Sequence, residues 1–190
     1  IISEYEYSIK DREFGAIVSK IKSENPDAIY ASGYFFTAGP LVRQLRAAGI
    51  NQPVVGQEGY DSQKFIEIAG DASEGVMITT SLDRDSSNPV TQSFIEGFSN
   101  KAGYPADMVG ASGHTAILVL ADAMSRAGST DKASLRDAIA STNLEASTGQ
   151  ISFNALGEVQ KDVQVQVVRD GNWHHHSVVS DAELLAPPSK

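Results

Sequence analysis

The sequence predicts an α/β fold built on a doubly wound parallel sheet, with extra helices and a C-terminal β-hairpin added after it. Three observations carry this prediction. From residue 1 to residue 81, short β-prone runs alternate with amphipathic helical patterns, as in parallel strands joined by crossover helices. From Asn88 onward, three helical patterns follow one another with no strand between them, so they cannot continue that alternation. Near the end, Val163-Gln164-Val165-Gln166-Val167 alternates with period two and runs into Asp170-Gly171, a two-residue hairpin signal.

Each element has a local reason. Ile1 to Ile9 is β-prone, with Tyr5, Tyr7 and Ile9 on one face. Asp11 is placed to cap a helix whose apolar stripe is Phe14, Ile17, Val18 and Ile21. Asn25-Pro26 ends that helix, because a residue before proline avoids helical geometry. Ala28 to Ala31 reads as a short buried strand. Pro40 suits a first helical position, and Leu41, Val42, Leu45 and Ala48 form the next stripe before Gly49 stops it. Pro53 to Gly56 is the following strand. Asp61 or Ser62 caps a helix carrying Phe65, Ile66 and Ala69, stopped by Gly70, and Gly75 to Thr80 is another strand.

Beyond a polar connection at Leu82 to Ser87, Asn88-Pro89 opens a helix with Val90, Phe94 and Phe98 on one face. Asp107 begins the longest helical pattern, with Val109, Ala116, Ile117, Leu120 and Met124 as its apolar stripe, and Gly128 ends it. Asp131 caps a third helix with Leu135 and Ile139 inside. Thr148 to Phe153 is a strand, Trp173 begins the return strand of the hairpin, and the tail from Ala186 to Lys190 reads as a frayed terminus.

Composition narrows the function. The 190 residues carry a net charge of −9, opposite to the basic surface expected for nucleic-acid binding. With no cysteine there is no thiolate metal site and no cysteine nucleophile. No unbroken apolar run reaches the ~18 residues of a membrane span. His174-His175-His176 places only two imidazoles on one strand face, without a carboxylate at ligand spacing, so no metal is expected. Neither G-x-S-x-G nor a glycine-rich phosphate loop occurs, and no cofactor or catalytic set is indicated.

One region does carry chemistry. Two successive parallel strands end in Ser32-Gly33-Tyr34 and Gln57-Glu58-Gly59-Tyr60-Asp61. C-terminal strand tips of a parallel sheet share one edge, where ligands bind. Tyr34 and Glu58 are therefore expected close together. An aromatic platform beside a carboxylate suits a small cation such as an ammonium.

The chain also resembles the type I periplasmic solute-binding proteins of the branched-chain amino acid transport group. The resemblance rests on the order of several short motifs: Pro26-Asp27-Ala28-Ile29-Tyr30, Ser32-Gly33-Tyr34, Leu41 to Arg46 before Gly49, and Gly56-Gln57-Glu58-Gly59. Ile68 to Gly75, Arg126-Ala127-Gly128-Ser129 and Thr148-Gly149 to Gly157 complete it. It implies a Rossmann-like three-layer lobe in a two-lobed periplasmic protein that closes on a free amino acid and delivers it to an ABC permease in the inner membrane. It implies that Tyr34 packs on the ligand, Glu58 holds its ammonium, and Gly33 and Gly59 lie beside it. Val109, at the start of the long helix, belongs to the side-chain pocket. His114 stands where many relatives carry a tyrosine.

The same resemblance divides the chain into residues 1–81 as second-lobe sheet, 82–160 as helices and strand of a first lobe, and 161–190 as return hairpin and tail. The sheet that normally covers the 88–153 helices would come from an N-terminal lobe not in this sequence, or from a swapped copy. A ligand-sensing module of the same fold, binding an amide or other small polar molecule, is the alternative.

Overall fold

The computed structural model describes residues 1–186, so the tail expectation from Pro187 onward lies outside the described residues. In chain order the helices are α1 Gly15–Glu24, α2 Phe35–Ala47, α3 Gln63–Ala69, α4 Pro89–Ala102, α5 Met108–Ala127, α6 Lys132–Ala140 and α7 Ala182–Leu185. The strands are β1 Ile29–Tyr30, β2 Val54–Gly56, β3 Met77–Thr80, β4 Asn143–Ala146, β5 Gly149–Phe153, β6 Val159–Gln160, β7 Val163–Arg169 and β8 Asn172–Val179. The chain divides into two compact units. The first is Ile1–Thr80 with Val165–His176; the second is Ser81–Gln164 with the described residues from Ser177 onward.

The first unit is built on a five-stranded sheet of order β1-β2-β3-β7-β8. Strands β1, β2 and β3 are parallel, with Ile29 opposite Val54 and Gly56 opposite Ile78. The hairpin from β7 to β8 turns at Asp170 and Gly171, both at positive φ (50° and 70°), as a type I′ turn requires. Helices α1, α2 and α3 bury the expected stripes: Phe14, Val18 and Ile21; Leu41, Val42 and Leu45; Phe65, Ile66 and Ala69. Each large side chain buried here contributes about 1.5–3 kcal/mol. A file of stacked rings, Tyr60 on Phe65 and Phe65 on Trp173, ties the loop after β2 to β8.

Several local expectations are corrected. Residues 1–8 form no strand. Their burial alternates as a strand's would, but side chains rather than a ladder hold them: the Ser3 and Tyr5 hydroxyls both donate to the Glu24 carboxylate, at 2.6 and 2.5 Å. Asp11 does not cap α1. It accepts the Ser8 N–H instead, and the Phe14 N–H is taken by Gln44 of α2. Strand β1 is not buried, because it lies at the sheet edge, and Tyr30 is 70% exposed. Pro40 lies inside α2 rather than at its start, since Thr37 already organises the first turn by accepting the Tyr34 N–H at 3.2 Å. Ser62, not Asp61, caps α3; Asp61 is buried and accepts the Thr80 hydroxyl at 2.5 Å.

In the second unit, Asn88 caps α4, Asp107 caps α5 and Asp131 caps α6, each accepting backbone N–H groups of the first turn. These helices are not without a sheet: β4, β5 and β6 form an antiparallel one, in which β4 and β6 were not expected. Both are short, four and two residues, too few for a period to be read from the sequence. Two small cores result, Leu82, Phe94, Ala106 and Ala111 in one, and Val119, Ala146 and Ile151 in the other.

Helix α5 packs on a face other than its sequence stripe. Its buried face is Ala111, Thr115, Val119 and Ala123. The apolar stripe read from the sequence faces outward: Val109 is 69% exposed, Ile117 64%, Leu120 36% and Met124 40%. Packing against α4, α6 and β4 selects the small residues, which allow close approach. With apolar residues on both faces, α5 is long and apolar enough by length and composition to cross a membrane, although no unbroken apolar run shows it.

Candidate ligand-binding site

The predicted site residues fall in both units. Gly33, Tyr34, Glu58 and Gly59 belong to the first, at the C-terminal ends of β1 and β2. Val109 belongs to the second, in the first turn of α5.

The two strand tips meet through backbone. A Cβ on Gly59 would lie 2.2 Å from the Gly33 carbonyl oxygen and 2.8 Å from Gln57 Nε2, so only glycine allows this approach. Gly33 has φ +156°, and a Cβ there would lie 2.4 Å from the Tyr7 hydroxyl oxygen. Three successive carbonyls of the β1 tip are held by three different side chains. The Tyr7 hydroxyl donates to Ser32, Gln57 Nε2 donates to Gly33 at 2.6 Å, and the Thr37 hydroxyl donates to Tyr34 at 2.9 Å. Burial pushes the Tyr7 hydroxyl pKa up, with the Thr37 bond opposing it, so Tyr7 stays a neutral donor.

Tyr34 caps α2 in extended conformation, and its ring is half exposed. It stacks on Phe36, with centroids 5.6 Å apart and planes 7° from parallel. The Arg12 guanidinium lies 5.1 Å from the Phe36 centroid. Glu58 opens the short 3₁₀ turn Glu58–Tyr60 and is exposed; no hydrogen bond or ion pair engages its carboxylate among the described residues. An exposed aromatic ring, an unengaged carboxylate and two glycine backbones thus border one stretch of sheet edge. That combination can take a small cationic group with an apolar neighbour.

Sequence reasoning missed Gln57, Tyr7 and Thr37, which shape the site through uncharged hydrogen-bonding groups. The available signal was Gln57 between two glycines at a strand end. Tyr60 is a core residue: its ring is fully buried, and burial drives its hydroxyl pKa far up. In the second unit, His114 packs its ring on Phe94, at 5.0 Å, and places Nδ1 3.1 Å from Ser147 Oγ. Ser147 and Thr148 join Thr115 in a buried hydroxyl network, so His114 is a packing and hydrogen-bonding residue.

The family model described as "Periplasmic binding protein" matches residues 1–172. The chain belongs to that family. It is 30% identical over 152 residues to the leucine-, isoleucine-, valine-, threonine-, and alanine-binding protein of Pseudomonas aeruginosa, covering 79% of this chain and 40% of the relative. It is 24% identical over 173 residues to the Leu/Ile/Val-binding protein of Escherichia coli K12, covering 91% and 45%.

Among solved structures, the leucine binding protein LivK of Thermotoga maritima superposes with a TM-score of 0.83 at 34% identity, over 92% of this chain and 50% of that one. The branched-chain amino acid transporter substrate binding protein LivJ of Streptococcus pneumoniae, in complex with isoleucine, shares the fold with a TM-score of 0.82 at 24% identity, over 91% and 50%. The fold is that of the type I periplasmic binding proteins, a mixed α/β architecture. These relatives are solute-binding proteins of the branched-chain amino acid ABC transporter family, not enzymes. The chain spans about half the length of the relatives it matches.

Proposed function

We propose that the chain forms one side of a cleft for a free, branched-chain amino acid, as part of a periplasmic receptor that serves an ABC permease in the inner membrane. Tyr34 is the platform for the ligand, Glu58 the anchor for its ammonium, and Gly33 and Gly59 let it approach the backbone. Val109 contributes to the side-chain pocket. The carboxylate of the ligand is bound by a complementary lobe, which also covers the outward face of α5; a swapped copy of this chain could serve instead. The stretch Ser81 to Asp85 acts as a hinge on which the lobes close.

The observation that carries this reading is the Glu58 carboxylate left unengaged beside an exposed Tyr34 ring, on a strand edge built by two glycines. Support comes from the binding specificities named for the relatives. In a protein carrying this chain together with a complementary lobe, leucine or isoleucine is expected to raise the melting temperature, and Glu58→Ala to remove the increase. The reading fails if no amino acid stabilises that protein.

A further inference from the structure

We propose that Gln57 is the positioning residue of this site, a clamp whose single amide sets Tyr34 and Glu58 at the separation an α-ammonium needs. The proposal rests on the function proposed above. It adds a residue that is neither aromatic nor charged and that need not touch the ligand.

Beyond the ladder bond from Ala31 N–H to Val55 O, the β1 and β2 tips would be free to splay. Gln57 Nε2 donates to the Gly33 carbonyl at 2.6 Å, and Gln57 Oε1 accepts the Gly59 N–H at 2.7 Å. Both ends of one planar amide are used. The orientation is determined, because a flipped amide would set acceptor against acceptor and donor against donor. One bonded residue immediately precedes Tyr34 and the other immediately follows Glu58. The amide therefore spans the pair that the ligand must bridge.

The neighbouring carbonyls are held by Tyr7 and Thr37, and those bonds stay within the β1 side of the site. Gln57 is the group that carries the restraint across to the β2 side. Gly59 completes the arrangement, since any side chain there would displace the Gly33 carbonyl and the Gln57 amide together. Displacing a positioned group by about 1 Å can cost up to roughly a hundredfold in function. A clamp at this point therefore acts on affinity rather than on global stability.

The test compares the chain with Gln57→Met, which keeps length but has no donor and only a weak sulfur acceptor, and Gln57→Glu, which keeps an acceptor for Gly59 and loses the donor to Gly33. L-leucine is titrated into each and followed by amide chemical shifts at Tyr34, Glu58 and Gly59. Amide exchange at Gly59 and urea unfolding midpoints are measured on the same samples. In Gln57→Met, affinity is expected to fall about tenfold and Gly59 exchange to quicken, with little change in midpoint. In Gln57→Glu, Gly59 exchange stays slow while affinity falls by an intermediate amount.

Unchanged leucine affinity in both variants overturns the clamp and leaves the proposed function standing. Affinity that falls only in step with a lowered midpoint also overturns it, because a merely structural role gives that result. If leucine shifts neither Tyr34 nor Glu58 in the unaltered chain and stabilises no protein that pairs it with a complementary lobe, the proposed function fails and the clamp falls with it.

Discussion

Helices α2 and α5 both carry large and small apolar residues, and they distribute them in opposite ways. Helix α2 turns Leu41, Val42 and Leu45 inward to full burial. Helix α5 turns Ala111, Thr115, Val119 and Ala123 inward and leaves Val109, Ile117, Leu120 and Met124 facing out. A helix that hides its small residues and shows its large ones is shaped for two surfaces at once. The first unit satisfies its helices internally. The second leaves one apolar face of α5 exposed.

The difference can be broken by mutation. Phe65→Ala, at a fully buried ring stacked between Tyr60 and Trp173, is expected to cost about 3–5 kcal/mol in urea unfolding. Leu120→Ala or Ile117→Ala in the same chain is expected to stay within about 0.5 kcal/mol. A loss above about 2 kcal/mol at either α5 position would mean that this face is already covered, and the contrast would collapse.

A smaller effect sharpens the account of the strand tips. Gly59→Ala is expected to destabilise by about 1–3 kcal/mol, because its Cβ must push against the Gly33 carbonyl, which is backbone and yields poorly. Gly97→Ala is the control: a Cβ there meets nothing within 4 Å, so the mutant is expected to be neutral or slightly stabilised in α4. Equal effects at both positions would show that the tips are looser than described.

Next in size is Thr80→Val, which removes the hydroxyl bonded to buried Asp61 and is expected to cost about 1–3 kcal/mol in the same assay.

The smallest effect is a pH dependence in the second unit. Backbone and side-chain bonds from Ser134, with further bonds at the start of α6, lower the pKa of Asp131 below its ordinary 3.8. A carboxyl with a depressed folded pKa adds stability that is present above its unfolded pKa and is lost as pH falls through the folded one. Asp131→Asn should lower stability slightly at neutral pH, where the charged cap is present, and leave it nearly unchanged at pH well below the folded pKa, so that the fall of stability below about pH 4 flattens. A loss of the same size at low pH as at pH 7 would contradict this.

How much was legible in the sequence follows the same division. In the first unit the stripes of α1, α2 and α3 are buried as their spacing predicts, since one apolar face meets one core. In α5 the spacing found the apolar stripe, which lies exposed, but not the second face of Ala111, Thr115, Val119 and Ala123 that packs. Periodicity shows which residues share a face, not which face is packed. Short strands β4 and β6 were hidden because four and two residues are too few to establish a period. Asp11 and Asp61 show a further limit. Each is a sound cap by type, but a competing partner, the Ser8 N–H or the Thr80 hydroxyl, took it elsewhere. At the site, Tyr34 and Glu58 were visible as charge and aromaticity at strand ends. Gln57 was not, because its role lies in two bonds that exist only once the glycine backbones are in contact.

The most direct test of the central proposal is a titration of free L-leucine into this chain, read at the backbone amides of Tyr34, Glu58 and Gly59. One side of a cleft with a single charged contact should bind weakly, with a dissociation constant on the order of millimolar. The account predicts saturable shifts confined to those tips and abolished by Glu58→Ala. Shifts elsewhere, or shifts that survive Glu58→Ala, would contradict it.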